Sequence, residues 1–233
     1  MFRISPLIPS TRPISIMKNS KYFLRLLASA IVILLASCAN KIKLGPDGKP
    51  VDSRGRPTNP YPVGSYDHFK AEVDYPKTMN VWKDESLLSA TNSDNSRIVI
   101  SLATQRGFFM NGDQVVTDYP ISSGVPSRPT PPGSYRILEK IVDKSSNSYG
   151  KVFDVEGNQV DGETPGVVPE GGKFVGAPMR YWMRLTWDGV GHHIGPLPRS
   201  RRAASHACIR GPSAIMPIIY GKVKIGTPVT VEK

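Results

Sequence analysis

Hydrophobic positions change character three times along the chain. Leu26 to Ala36 is a near-continuous apolar run, residues 39–66 almost lack large apolar side chains, and from Ser96 onward apolar and polar residues alternate in short stretches. Alternation with a period of two is the signature of half-buried strands. Arg97–Leu102 reads as a buried strand. Gly107–Ile121 reads as a hairpin turning at Asn111-Gly112-Asp113. Thr130-Pro131-Pro132-Gly133 is a turn that feeds a strand over Ser134–Leu138, and Tyr181–Trp187 is a further strand ending at Asp188-Gly189. Val223–Val231 closes the chain as strand material. One short helix is predicted from Pro212 to Tyr220, with Pro217 breaking or kinking it. Residues 156–179 are rich in Gly and Pro and predict a long loop of the kind that often forms a functional lid. The predicted fold is mainly β with one short helix.

Composition refines this picture. Gly (21) and Pro (22) make up nearly a fifth of the 233 residues, which favours turns and short strands over long helices. The formal charge of +11 is uneven, because residues 1–38 carry Arg3, Arg12, Lys18, Lys21 and Arg25 and no acid. The remaining basic residues do not gather into one stripe, so nucleic acid is not an expected partner. A solvated basic surface near an anionic polymer or membrane is.

The apolar run near the start follows the positive Lys18, Lys21 and Arg25 and is too short to span a bilayer comfortably. It ends in Leu35-Ala36-Ser37-Cys38, which resembles a bacterial lipobox. In such a signal the cysteine is acylated and becomes the new N-terminus. Met17 gives a more ordinary signal length than Met1. Ala39, in place of Asp, resembles sorting to the outer membrane. The expected organisation is a signal segment over 1–38 with lipid on Cys38, a flexible tether over 39–66, a leading segment over 67–96 packed on the domain, and a catalytic domain over 97–233. The tether, with five prolines from Pro46 to Pro62, cannot bury enough surface to fold alone. Fully extended, it reaches about 90–100 Å.

Candidate chemistry gathers in one place. Three of the four histidines and one of the two cysteines lie between Gly191 and Arg210, in Gly191-His192-His193-Ile194-Gly195 and Ser205-His206-Ala207-Cys208-Ile209-Arg210. With Cys38 assigned to lipid, Cys208 is the one thiol of the mature chain. A buried structural cysteine is the ordinary reading of such a residue. A cysteine with imidazoles and a cation nearby is also a candidate nucleophile, because these lower the thiol pKa and accept its proton. The turn before Cys208 can aim successive backbone N–H groups at one point, as an oxyanion requires. Metal ligation by the same residues lacks a His-Glu-x-x-His or Cys-x-x-Cys pattern, so no metal is expected. A Gly-x-Ser-x-Gly serine site is absent as well.

Ser205-His206-Ala207-Cys208-Ile209-Arg210, with His193 fifteen residues upstream of Cys208, resembles the catalytic motif of the L,D-transpeptidases, the YkuD-type domain. The resemblance extends over about 97–232. It takes in Gln105 after the opening strand, the turns Pro120–Gly124 and Thr130–Gly133, the strand around Tyr181-Trp182-Met183-Arg184-Leu185, and Gly226-Thr227-Pro228-Val229. It implies an L,D-transpeptidase-like β-sandwich that acts on peptidoglycan stem peptides without a cofactor. Cys208 would be the nucleophile and His193 the general base, oriented by a backbone carbonyl near Ile194. His206 would be a supporting imidazole. The amides of Ala207 and Cys208 would form the oxyanion hole, Ser205 and Tyr181 would lie at the substrate, and Arg210 would bind a substrate carboxylate or brace the loop. A hydrolase of the same fold, acting as L,D-carboxypeptidase or endopeptidase, and a catalytically weak peptidoglycan-binding lipoprotein are the alternatives.

Three residues depart from the family pattern. Ala207 replaces Gly, which costs about 1 kcal/mol or more if φ there is positive and nothing if it is negative. His192 occupies a position that is often apolar, and Gly211 one that is often Leu. Arg199, Arg201 and Arg202, in the loop between His193 and Cys208, either meet substrate carboxylates or stay solvated.

Overall fold

A computed structural model describes residues 42–161 and 168–233. Cys38 and the signal segment lie outside the described residues. The strands are β1 (Lys43–Leu44), β2 (Pro50–Val51), β3 (Trp82–Lys83), β4 (Ser96–Ser101), β5 (Arg106–Asn111), β6 (Gln114–Pro120), β7 (Gly133–Arg136) and β8 (Glu139–Ile141). They continue as β9 (Ser145–Phe153), β10 (Gln159–Asp161), β11 (Lys173–Pro178), β12 (Trp182–Arg184), β13 (Gly191–Ile194), β14 (Ile209–Gly211) and β15 (Pro228–Glu232). The helices are α1 (Tyr66–Lys70), α2 (Glu85–Ala90) and α3 (Met216–Lys222).

Two sheets share one core. The larger has the order β3-β6-β5-β4-β15-β7 and the smaller β14-β13-β12-β8. Strict alternation along β4 sends Ile98 and Ile100 inward. They meet Phe109, Val116 and Tyr119 from the same sheet, Met183 and Ile209 from the smaller one, and Met216 and Ile219 from α3. Most pairings are antiparallel, but β15 runs parallel to β4 and β14 parallel to β13. The second of these parallel pairs carries the site described below.

The structure corrects several expectations. The described parts of the expected loop, residues 156–161 and 168–179, carry strands. β10 and β11 flank β9 in a three-stranded antiparallel sheet, with Phe174 opposite Val152 and Val175 opposite Lys151. Glycine content conceals these strands from a pattern reading, yet the pairing depends on it. A Cβ on Gly176 would lie 2.0 Å from the Ser146 carbonyl oxygen, and one on Gly150 would lie 2.2 Å from that of Val175. There are three helices among the described residues, not one. α3 starts at Met216, preceded by a turn from Pro212, and Pro217 lies in its first turn, where its missing N–H has no intrahelical partner to lose. Strand β12 is shorter than the expected Tyr181–Trp187, because Tyr181 has φ +55° and the chain turns at Thr186–Gly189.

The stretch expected as a flexible tether carries hydrogen-bonded structure from Lys43 onward. β1 and β2 pair, and the Lys49 ammonium donates to the carbonyl oxygens of Glu72, Val73 and Tyr75 at 2.7–2.8 Å. The Asn59 amide donates to the His68 carbonyl, and the Trp82 indole to that of Gly64. The following segment is pinned more firmly. Arg106 and Asp118, both 0% exposed, form an ion pair of 2.6 Å between β5 and β6. Tyr66 and Tyr75 donate hydroxyls to the other Asp118 oxygen, at 2.9 and 3.1 Å. Arg106 in turn donates to the carbonyls of Thr78 and Asn80. Residues 66–80 are therefore fastened to the sheet through one buried, fully hydrogen-bonded charge pair. Removing a single partner strands the other charge in the core. We expect Asp118→Ala to lower unfolding free energy by about 3–5 kcal/mol, measured by urea denaturation. A loss below 1 kcal/mol would contradict the argument.

Candidate active site

The site is built on the parallel pair of β13 and β14. Its register places His192 opposite Ile209 and His193 opposite Arg210. Side chains alternate along extended chain, so Cys208 and Arg210 share a face with His193, while His192 and Ile209 point into the core. A cavity of about 850 Å³ opens on the first face. His193, Cys208, Arg210, Ser205 and His206 line one wall, and Tyr149 with its neighbours on β9 and β11 the other. The sequence cluster is thus brought together, with one member turned away.

The two adjacent histidines have opposite surroundings. His193 is 5% exposed, and its Nδ1 lies 2.7 Å from the Ile194 carbonyl oxygen. A carbonyl only accepts, so Nδ1 carries the proton and Nε2 keeps a lone pair. Burial, reinforced by the Arg210 charge against the opposing pull of the Ile194 carbonyl, pushes the His193 pKa down to about 4. It is a neutral base at neutral pH. His192 is 1% exposed and lies beside Tyr119 and Ile209, not in the cavity. Of the two adjacent imidazoles, the one that opens on the cavity with Cys208 is that of His193.

Cys208 is half-buried, with Sγ 3.6 Å from the Gly189 carbonyl oxygen. Burial pushes its thiol above the ordinary range, opposed by the Gly191 amide and the Arg210 guanidinium. The resting pair is thus neutral thiol and neutral imidazole. Thiolate forms only as a base takes the proton.

The turn before Cys208 is held from beneath. The Ser205 amide donates to the Ser123 carbonyl, the Val125 amide to that of Ser205, and the Ser205 hydroxyl to that of Cys208. Ser205 is 1% exposed and its hydroxyl is engaged in this way, so it braces the turn at the cavity wall. Thr130 bridges two strands of the turn. Its hydroxyl donates to the Ala207 carbonyl at 2.7 Å and accepts from the Gly124 amide at 2.9 Å. Gly124 allows this approach, since a Cβ there would lie 2.8 Å from the Ala207 nitrogen and 2.2 Å from the Arg128 carbonyl oxygen. Ala207 has φ +75°. The left-handed conformation is adopted despite the side chain, so the strain foreseen for this residue is present. Among the described residues, the Ala207 and Cys208 amides donate to no internal acceptor, which leaves both for an oxyanion.

The other expected residues divide. His206 lines the cavity and stacks on Tyr149, ring centroids 4.5 Å apart, and Arg128 donates to the Tyr149 hydroxyl. Arg210 lines the cavity, its stem lying where a Cβ on Gly195 would otherwise sit, 2.7 Å from Arg210 Cγ. Tyr181 does not line it. Its positive φ turns the ring onto α3, edge-on to Tyr220 at 5.4 Å, while Trp182 goes inward. Arg201 is buried and donates to the carbonyls of Ile121 and Gln105, so it ties the loop down and does not await a carboxylate. Arg202 stays exposed, as does Arg199. Among the described residues, no three His, Cys, Asp or Glu side chains converge as a metal site. Sequence reading missed Tyr149, Thr130 and Gly124, which belong to distant strands and turns. Gly124 and Thr130 lay within recognised turns, but nothing near Tyr149 marked it.

Two predictions follow from this geometry. Ala207→Gly removes the strain at φ +75° and should raise stability by about 1 kcal/mol without loss of turnover, as read by thermal melts and product formation. Cys208, with its raised thiol pKa, holds little thiolate at pH 7. The rate of its alkylation by iodoacetamide should therefore keep climbing as pH passes 9. A plateau at or below neutral pH would instead indicate a resting thiolate–imidazolium pair.

Comparison with known proteins agrees with the residues. The L,D-transpeptidase catalytic domain (YkuD) family model matches residues 95–231. No curated protein matches the chain. Among solved structures, an L,D-transpeptidase from Mycobacterium smegmatis is similar at 22% identity and a TM-score of 0.47, over 60% of this chain and 59% of that one. One from Enterococcus faecium shares 27% identity at a TM-score of 0.43, over 60% and 50% of the two chains. One from Stackebrandtia nassauensis shares 15% at 0.44, over 64% and 62%. The match thus spans half to three-fifths of those proteins' own length. With its family model matched over more than half its length, on the residues from which the cavity is built, this chain belongs to the L,D-transpeptidase catalytic domain family.

Proposed function

We propose that the protein is a peptidoglycan L,D-transpeptidase that works by cysteine acyl transfer. The observation that carries this reading is the Cys208 thiol and the His193 base sharing one cavity beside two unengaged amides. As substrate fills the cavity, His193 Nε2 takes the thiol proton and sulfur attacks the carbonyl carbon between the third and fourth residues of a stem peptide. The Ala207 and Cys208 amides hold the oxyanion. The C–N bond breaks, the leaving D-Ala amine takes the proton from His193, and a Cys208 thioester remains. An amine acceptor, deprotonated by the same imidazole, then attacks the thioester and restores the thiol. His206 supports this wall of the cavity through its stack on Tyr149. Arg210, the cation nearest both groups, faces a substrate carboxylate.

The dihedral at Ala207 bears on the weak-binder alternative. An alanine that spoiled the oxyanion turn would have relaxed to negative φ, whereas the chain keeps +75° and both amides unengaged. The mature chain, from acylated Cys38, should convert disaccharide-tetrapeptide to a crosslinked dimer with release of D-Ala, followed by mass spectrometry. Tripeptide alone would make it a hydrolase, and retention on peptidoglycan without turnover a binder. Cys208→Ser should reduce turnover at least 10³-fold, on the order of the loss when a covalent nucleophile is removed. Wild-type turnover in that variant would refute the mechanism.

We also propose that acylated Cys38 anchors the protein to the envelope, in the outer membrane and facing the periplasm. The lipobox-like Leu35-Ala36-Ser37-Cys38 supports this, and several acyl chains hold where one alone is marginal. Cys38→Ala should abolish palmitate labelling in cells and move the protein from the membrane fraction to the soluble one. An unchanged distribution would refute the anchor.

A further inference from the structure

His192 has no part in the chemistry proposed above, yet both nitrogens of its ring are hydrogen-bonded behind the site. Its Nδ1 lies 2.8 Å from the Ile209 carbonyl oxygen and its Nε2 3.0 Å from the Tyr119 hydroxyl. The carbonyl only accepts, so Nδ1 carries the proton. Nε2 then has a lone pair and the tyrosine donates to it. Tyr119 is fully buried, and its ring stacks on the imidazole at 5.9 Å and 10°. Burial raises the tyrosine pKa and drives that of His192 down to about 4. Each group therefore keeps the protonation state this chain of bonds requires.

Space has been cleared for the ring. A Cβ on Gly211 would lie 3.0 Å from His192 Cε1 and 2.5 Å from Met216 Sδ. Glycine at 211 thus makes room for Met216 first and for the imidazole beside it. The imidazole occupies room that a larger residue at 211 would need. The polar ring also ends on a consequential atom. Ile209 is the residue after Cys208 and the first of β14, across from His192 itself. The nucleophile-bearing turn enters the sheet at the carbonyl that His192 grips.

We propose that His192, set by Tyr119, is a positioning residue that locks the start of β14 through the Ile209 carbonyl and so holds Cys208 in reach of His193. This rests on the reading of Cys208 as nucleophile, but its test does not depend on the natural substrate. Four mature chains are compared: wild type, His192→Leu, His192→Asn and Tyr119→Phe. Asparagine places an N–H donor near the position of Nδ1, while leucine fills the space without one. Two rates are read, Cys208 alkylation by iodoacetamide at pH 8 and tetrapeptide turnover, with melting curves to confirm folding.

Leucine at 192 should slow turnover roughly tenfold through kcat with KM unchanged, and alter the alkylation rate, the order expected for one lost buried hydrogen bond acting on the transition state. Asparagine should restore both to within about threefold of wild type. Tyr119→Phe, which removes one oxygen, should slow turnover severalfold. If His192→Leu fails to fold, the Tyr119→Phe result decides. Wild-type rates in a folded His192→Leu or, failing that, in Tyr119→Phe would make His192 a core filler and overturn the proposal. Equal impairment by leucine and asparagine would overturn it as well. A wild type that turns over no tetrapeptide, with alkylation still altered in His192→Leu and restored in His192→Asn, would sink the functional reading and leave the positioning role standing.

Discussion

Everything at this site depends on two short strands running the same way. β13 and β14 are each only three or four residues long, yet their parallel register decides which histidine faces the thiol. A shift by one residue would send His193 into the core and bring His192 to the cavity, because side chains alternate at every step. So brief a pairing cannot hold its own register. Neighbours hold it: Ser122 exchanges backbone hydrogen bonds with Arg210 on the far side of β14, and Gly191 lies flat against Trp182 with no room for a side chain. The thiol–imidazole geometry is thus a property of the sheet around the pair and not of the motif alone.

Chemical identity and local strands were legible in the sequence because both are local properties. Alternation at Arg97–Leu102 and the turn at Asn111-Gly112-Asp113 specify a strand and a hairpin within a dozen residues. The thiol–imidazole cluster could be read off spacing for the same reason. Long-range relations were not legible. The flap strand β11 carries Gly and Pro, so it resembles a loop until its partner β9 is in place. Tyr149 becomes part of the site only when that sheet folds over His206. Tyr181 and Ser205 were placed at substrate by position in a pattern. A positive dihedral turned one away, and a neighbouring carbonyl engaged the other. Neither fact has a local sequence signature.

Ala207 shows how a strained residue persists. Its left-handed backbone is disfavoured for any residue with a Cβ, but Thr130, Ser205 and Gly124 fix the chain on all sides of it. The surroundings determine the dihedral, and the residue conforms. This separates the motif's usual glycine from the geometry it serves: the glycine eases a conformation that the scaffold imposes.

The three bonds from Lys49 to the carbonyls of Glu72, Val73 and Tyr75 change the mechanical length of the molecule. With the first hairpin stapled to the body, the span between the proposed lipid at Cys38 and folded chain at Lys43 shortens to four intervening residues, at most about 18 Å when extended. A domain on so short a leash would be confined to the wall layer next to its membrane. Altitude, as much as specificity, would then choose which strands of the polymer it meets.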